Sequence, residues 1–144
     1  MKYFCDTSVL VAGCVRQHPH FNRARPVLEA ASAGKDAYFI SAHSVAEVWS
    51  VLTRLPVLPR INQSEARLIL ETNVMKYFRL ISATPEMYVK AVAACVECGA
   101  KGGAVYDALL LECARVADSD RIYTFNIRGF RRLSPDLGDL ICAP

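Results

Sequence analysis

The sequence predicts an α/β fold, a parallel sheet of four to five strands with helices on both faces, in a single domain spanning residues 1–144. Three observations predict it. Short apolar runs of strand length alternate with longer amphipathic stretches from one end of the chain to the other. The first strand passes directly into a helix, as parallel crossovers require. Glycines and prolines stand between the runs, where such a chain has to turn.

The elements follow in order. Lys2–Cys5 is largely apolar, as suits a strand buried on both faces. Val9–Val15 reads as a short helix broken by His18-Pro19-His20. A second helix covers 20–33 and ends at Gly34, with Pro26 marking a later start or a kink. Tyr38–Ile40 is the second strand. Helix three runs from Ala42 to Leu55 and is stopped by Pro56 and Pro59. Asn62 or Ser64 caps a fourth helix that continues to Tyr77. Leu80-Ile81 is a short third strand. Thr84-Pro85-Glu86 opens a helix, with proline at its first position, that reaches Cys98 and ends at Gly99. Gly102-Gly103 precede a sixth helix over 104–117. Ile122–Phe125 is the fourth strand and Leu140–Cys142 a weaker fifth.

Composition narrows the class. The chain is 53% hydrophobic and 22% charged, ordinary globular material, with a net charge of +3 that suits an anionic partner or a solvated surface equally. No apolar run approaches the roughly 20 residues of a membrane span, and the N-terminus carries no signal-peptide pattern. Of six cysteines, Cys5, Cys113 and Cys142 lie within apolar patterns. They read as reduced thiols of a cytoplasmic protein. Cys95-Val-Glu-Cys98 has a redox or zinc spacing, but no second pair accompanies it.

The informative polar residues stand at element ends. Asp6 lies where the first strand hands over to a helix, the end of a parallel sheet where ligands bind, and is a helix cap, a metal ligand, or both. At 100° per residue, Glu47 falls beside the apolar arc of helix three formed by Val45, Val48, Trp49, Val51, Leu52 and Leu55. It shares a polar stripe with His43, Ser50 and Arg54, which is either a solvated face or a cleft wall. In the sixth helix Tyr106, Leu110, Cys113, Ala114 and Ala117 share the apolar arc, and Glu112 and Arg115 point away together. Asp107 instead borders the buried arc in the first turn, close to the two glycines; there it serves the helix dipole or a ligand. Asn126 again follows a strand, as a turn residue, a cap or a site residue. Three carboxylates gathered at low dielectric repel one another and need a cation, and oxygen ligands select Mg²⁺ or Mn²⁺.

Asp6-Thr7-Ser8-Val9-Leu10, Ala46-Glu47-Val48, Tyr106-Asp107-Ala108-Leu109 and Thr124-Phe125-Asn126, in this order and spacing, resemble the motifs of PIN-domain nucleases. Nearly the whole chain takes part, and its size is similar to that of the VapC-type toxins of toxin–antitoxin pairs. The resemblance implies a metal-dependent endoribonuclease that hydrolyses RNA with a metal-activated water. Asp6, Glu47 and Asp107 would hold one or two Mg²⁺ or Mn²⁺ ions. Thr7 or Ser8 would support them through a hydroxyl, and Asn126 would form the far wall. It also implies a cognate antitoxin and a homodimer, for which the apolar residues of helices Val9–Val15 and Val27–Ala33 would offer a surface. Arg54, Arg128, Arg131 and Arg132 would contact RNA phosphates, or are ordinary surface charge.

One position departs from the family pattern. Where many members carry a fourth acid, Asn126-Ile-Arg-Gly129-Phe130 has glycine. This predicts one firm and one weak metal, with Gly129→Asp tightening Mn²⁺ binding, or else a degenerate domain that binds RNA or protein without cutting. A receiver-like phosphoacceptor fold would want a second acid beside Asp6 and a strand-end lysine, which the sequence lacks. A dinucleotide fold would want G-x-G-x-x-G after the first strand.

Overall fold

The computed structural model describes residues 1–144. Its centre is a five-stranded, wholly parallel sheet of order β3-β2-β1-β4-β5. The strands are β1 (Lys2–Cys5), β2 (Ala37–Ser41), β3 (Arg79–Ile81), β4 (Arg121–Tyr123) and β5 (Ile141–Cys142). The helices are α1 (Thr7–Cys14), α2 (Phe21–Ala33), α3 (Ala42–Leu52), α4 (Gln63–Leu70), α5 (Pro85–Cys98), α6 (Ala104–Val116) and α7 (Ile127–Leu133). A π-helical turn, Glu71–Met75, extends α4, and a 3₁₀ turn, Pro135–Leu137, follows α7.

Strand alternation divides the core. Cys5, Tyr38 and Ile40 face one side, packed with Val9, Leu10, Leu28, Val48, Leu52 and Leu70 of α1–α4. Phe4, Phe39 and Ile122 face the other, packed with Ala91, Leu110, Cys113 and Phe130 of α5–α7. Tyr3 stacks between Tyr38 and Tyr123, with centroids 4.8 and 5.5 Å away, tying three neighbouring strands together on one face.

Local chemistry explains most boundaries. Gly34 and Gly99 end α2 and α5 in the left-handed conformation, each with φ of 69°. Asn62 caps α4 reciprocally with Glu65. The helix α2 continues through Pro26 without a break. The first helix starts at Thr7 rather than Val9, because Asp6 already occupies the capping position and its carbonyl accepts from Val9 and Leu10. The strand β4 stops at Tyr123 rather than Phe125: the Thr124 N–H still bonds the Cys142 carbonyl, but the Phe125 N–H turns to Ser8 Oγ. The segment after Asn126 is a helix, so of its turn and cap readings the cap is the one observed.

The topology positions the site. From β1 the sheet grows through β2 and β3 on one side and through β4 and β5 on the other. The crossover direction therefore reverses at β1, and a crevice opens above the carboxyl ends of β1 and β4. All six cysteines are free, and no helix is long and apolar enough to cross a membrane.

Candidate active site

Five backbone segments meet at this crevice. Asp6, Thr7, Ser8 and Val11 enter from the end of β1 and α1, His18 and His20 from the α1–α2 turn, and Glu47 and Val51 from α3. Asp107 comes from the first turn of α6, and Phe125 and Asn126 from the segment after β4. The three carboxylates expected to meet therefore line one cleft.

Asp6 is held most firmly. Its carboxylate is buried, and its Oδ2 accepts from the Ser8 hydroxyl at 2.6 Å and the Thr124 hydroxyl at 2.8 Å. Burial pushes its pKa up, and the two hydroxyls and the nearby Thr7 and Ser8 amides only partly offset this. Of Thr7 and Ser8, only Ser8 has its hydroxyl on the Asp6 carboxylate. The Thr7 hydroxyl donates instead to Ser44, locking α1 to α3. Thr124, in sequence merely the residue before Asn126, is fully buried and also accepts the Asn126 amide N–H at 3.0 Å.

Asp107 is half-buried, and its Oδ2 accepts from Asn126 Nδ2 at 3.0 Å. Burial, the neighbouring Asp6 and then Glu47 push its pKa up to about 6 against the pull of Asn126. Glu47 is raised by burial and by Asp6, with His43 acting in the opposite direction. His43 Nε2 lies 3.1 Å from Glu47 Oε1, but not in line for a hydrogen bond, and Oε1 is buried without a hydrogen-bond partner. The His43 ring stacks on Tyr106 at 5.4 Å, so Tyr106 is half-exposed beside the site and does not belong to the core arc expected for α6.

This donor set fits a divalent cation. Asp6 raises the proton affinity of Glu47 and Asp107, Glu47 raises that of Asp107, one Glu47 oxygen lacks a hydrogen-bond partner, and every candidate ligand is oxygen. No group of three or more His, Cys, Asp or Glu side chains stands close enough together to enclose an ion.

Asn126 connects the site to α7. Its Nδ2 donates to Asp107 while its Oδ1 accepts the Gly129 N–H at 3.2 Å, capping the helix. A Cβ at Gly129 would lie 2.4 Å from Asn126 Nδ2 and 2.7 Å from Oδ1. Any side chain at position 129 therefore has to displace the amide that steadies Asp107.

The arginines divide. Arg128 is exposed on α7. Arg54 lies beyond the end of α3 with its Nε on the Ser50 carbonyl, in a surface depression with Val51, Leu55 and Pro56 and not in the acid cleft. Arg131 donates to the Gly138 and Ile141 carbonyls and braces the C-terminal segment, while Arg132 donates to the Cys98 carbonyl and ties α7 to the end of α5. Arg115, which points away from the core together with Glu112 as expected and pairs with it, also makes a two-pronged bond to Asp136.

The expected apolar docking faces of α1 and α2 are also corrected. Val9, Leu10, Val11, Val27, Leu28 and Ala31 are buried against one another and the sheet. Exposed apolar surface lies elsewhere. One part is the groove between α3 and α4 lined by Val45, Trp49, Leu70 and Met75, and another is the Val89, Val92 and Val96 stripe of α5.

Comparison with known proteins agrees with this architecture. The family model for the PIN domain matches residues 3–134. Three solved structures share the fold. Mycobacterium tuberculosis VapC20, a sarcin-ricin loop-cleaving toxin, is 19% identical with a TM-score of 0.70, over 88% of this chain and 92% of that one. Rickettsia felis VapBC2, bound to a DNA fragment from its promoter, is 20% identical with a TM-score of 0.66, over 93% and 94%. Neisseria gonorrhoeae FitAcB is 18% identical with a TM-score of 0.64, over 99% and 96%. No curated protein matches the sequence.

Proposed function

The chain belongs to the PIN domain family, and on that premise we propose that it is a divalent-metal-dependent endoribonuclease, the toxin of a toxin–antitoxin pair. The observation that carries this reading is the convergence of Asp6, Glu47 and Asp107 on one cleft, with raised proton affinities and a buried, unpartnered Glu47 oxygen.

In this reading Asp6, Glu47 and Asp107 hold Mg²⁺ or Mn²⁺. The ion's chemistry is activation of a water towards the scissile phosphorus and neutralisation of charge developing there. The chain's own residues prepare the site. Ser8 and Thr124 orient one oxygen of Asp6 and leave the other free. Asn126 fixes Asp107 from the opposite wall. Burial and the neighbouring acids push the Asp107 pKa up to about 6, so protons would compete with a cation for its carboxylate as pH falls through that value. No side-chain nucleophile is needed. Arg128 and the +3 net charge favour a polyanionic substrate.

VapC20 is described as a toxin that cleaves the sarcin-ricin loop, which supports RNA as the substrate class here. VapBC2 supports an antitoxin partner. The α3–α4 groove and the α5 stripe offer the apolar surface that an antitoxin and a second copy of the chain require. The six free thiols agree with a reducing, cytoplasmic compartment.

The test is cleavage of a mixed pool of structured RNAs by wild type and Asp6→Asn, in Mn²⁺, Mg²⁺ or EDTA. Metal-dependent cutting that disappears in the variant supports the proposal. Binding without cutting under every condition would replace it with a non-catalytic RNA-binding domain.

A further inference from the structure

The cleft has a second group of side chains that the acid site does not use. Phe125 lies between two residues bonded to the acids. Thr124 donates to Asp6 and Asn126 donates to Asp107, while the Phe125 N–H donates to Ser8 Oγ at 3.4 Å. The backbone that carries its ring is thereby fixed relative to the carboxylates. The α1–α2 turn places the His20 ring on it, with centroids 4.4 Å apart and planes within 19°. His18 lies 5.8 Å from His20, and the Arg23 guanidinium is 5.6 Å from the Phe125 centroid.

Neither packing nor capping accounts for His20. The residue is exposed, and although it precedes α2 its side chain makes no capping bond. An exposed planar ring backed by a fixed aromatic, beside a cation and at the rim of an acid-lined cleft, is suited to another flat, weakly hydrated group. Nucleobases stack on such surfaces regardless of identity, and guanidinium planes add to the attraction. The carboxylates repel phosphates until a cation is bound, so a base contact would supply attraction from outside the acid cluster.

We propose that His20, backed by Phe125 and flanked by Arg23, is a nucleobase-stacking lip, and that it takes an unpaired base next to the scissile phosphate. The inference rests on RNA being the substrate, as argued above. A base inside a duplex has both faces covered, so the lip selects single-stranded or looped positions.

The test is titration of a short single-stranded RNA containing 2-aminopurine, in calcium to suppress turnover. The proteins are wild type, His20→Ala, Phe125→Leu and the ring-preserving His20→Phe. Wild type and His20→Phe quench the probe. His20→Ala and Phe125→Leu lose about tenfold in affinity, within the range of one base–aromatic stack, while Mn²⁺ affinity stays near wild type; Tm stays near wild type in His20→Ala and falls in Phe125→Leu, whose ring also packs on the core. In steady-state cleavage KM rises by the same factor with kcat little changed. If wild type binds and quenches but both truncations do so equally well, the lip is refuted and the RNA reading stands. If wild type neither binds nor cuts RNA, both fall together.

Discussion

Asp107→Asn should make the metal-free protein more stable while removing its ability to bind a cation. The carboxyl pKa rises from an ordinary value of about 3.9 to about 6 in the fold. At 1.36 kcal/mol per pKa unit, the ionised form is disfavoured by about 3 kcal/mol. Half of the side chain meets solvent, and screening reduces this to about 1–2 kcal/mol. The folded-state pKa lies above the unfolded one, so folding binds a proton and stability falls as pH rises from about 4 to about 6. Asparagine has no charge to desolvate, and its carbonyl still accepts from Asn126. Urea unfolding in EDTA at pH 7.5 should therefore show the variant about 1–2 kcal/mol more stable, and at pH 4 the two proteins should converge. Mn²⁺ at a hundredfold its Kd should then stabilise wild type by about 2.7 kcal/mol and leave the variant unchanged, reversing the order. A variant less stable than wild type in EDTA at pH 7.5 would show that the carboxylate is a structural anchor and would refute the reasoning.

Three further outcomes follow from the same geometry. Thr124→Val removes the buried hydroxyl that serves both Asp6 and the Asn126 amide, and should cost about 1–3 kcal/mol in urea unfolding; an unchanged midpoint would show that neither bond matters. Gly13→Ala places a Cβ 2.6 Å from Leu28 Cδ1 and 3.2 Å from the Ala24 carbonyl. Overpacking outweighs the helix-propensity gain, giving a net loss of about 1–2 kcal/mol by thermal unfolding, whereas a more stable variant would mean that α1 and α2 separate freely. Gly129→Ala and Gly129→Asp both push Asn126 from its cap and should each lose about 1 kcal/mol. Only the aspartate should tighten Mn²⁺ in calorimetry, and equal titrations would place position 129 outside the metal site.

The sequence was most legible where a single residue type has one physical use. Gly34, Gly99, Pro85 and Asn62 mark helix ends because few other residues suit those positions, and Asp6 is conspicuous at the end of an apolar strand. The helix α7 was hidden. Its buried residues are only Phe130 and Leu133, and with Gly129 and three arginines in seven positions the apolar period is too weak to register. Thr124 looked like a strand residue, because nothing in a linear pattern shows that its hydroxyl reaches Asp6, 118 positions away. Tyr106 was assigned to the core by helical angle alone, whereas its partner is His43, on another helix. Loops have no period, so His18 and His20 read only as a helix break and Phe125 only as a strand and motif residue, and nothing in the sequence showed that the three meet at one cleft. The arginines were read as charge; for Arg131 and Arg132, tertiary contact turned that charge into carbonyl bonds.

Mn²⁺ titration by isothermal calorimetry, on wild type, Asp6→Asn, Glu47→Gln and Asp107→Asn at pH 7.5 and pH 5, is the most direct measurement. If the three carboxylates form one cation site, wild type binds at pH 7.5 and much more weakly at pH 5, where Asp107 with its pKa of about 6 is mostly protonated. Each variant then loses binding at both pH values while remaining folded. Mn²⁺ binding that survives all three substitutions, or does not change between the two pH values, would contradict the account.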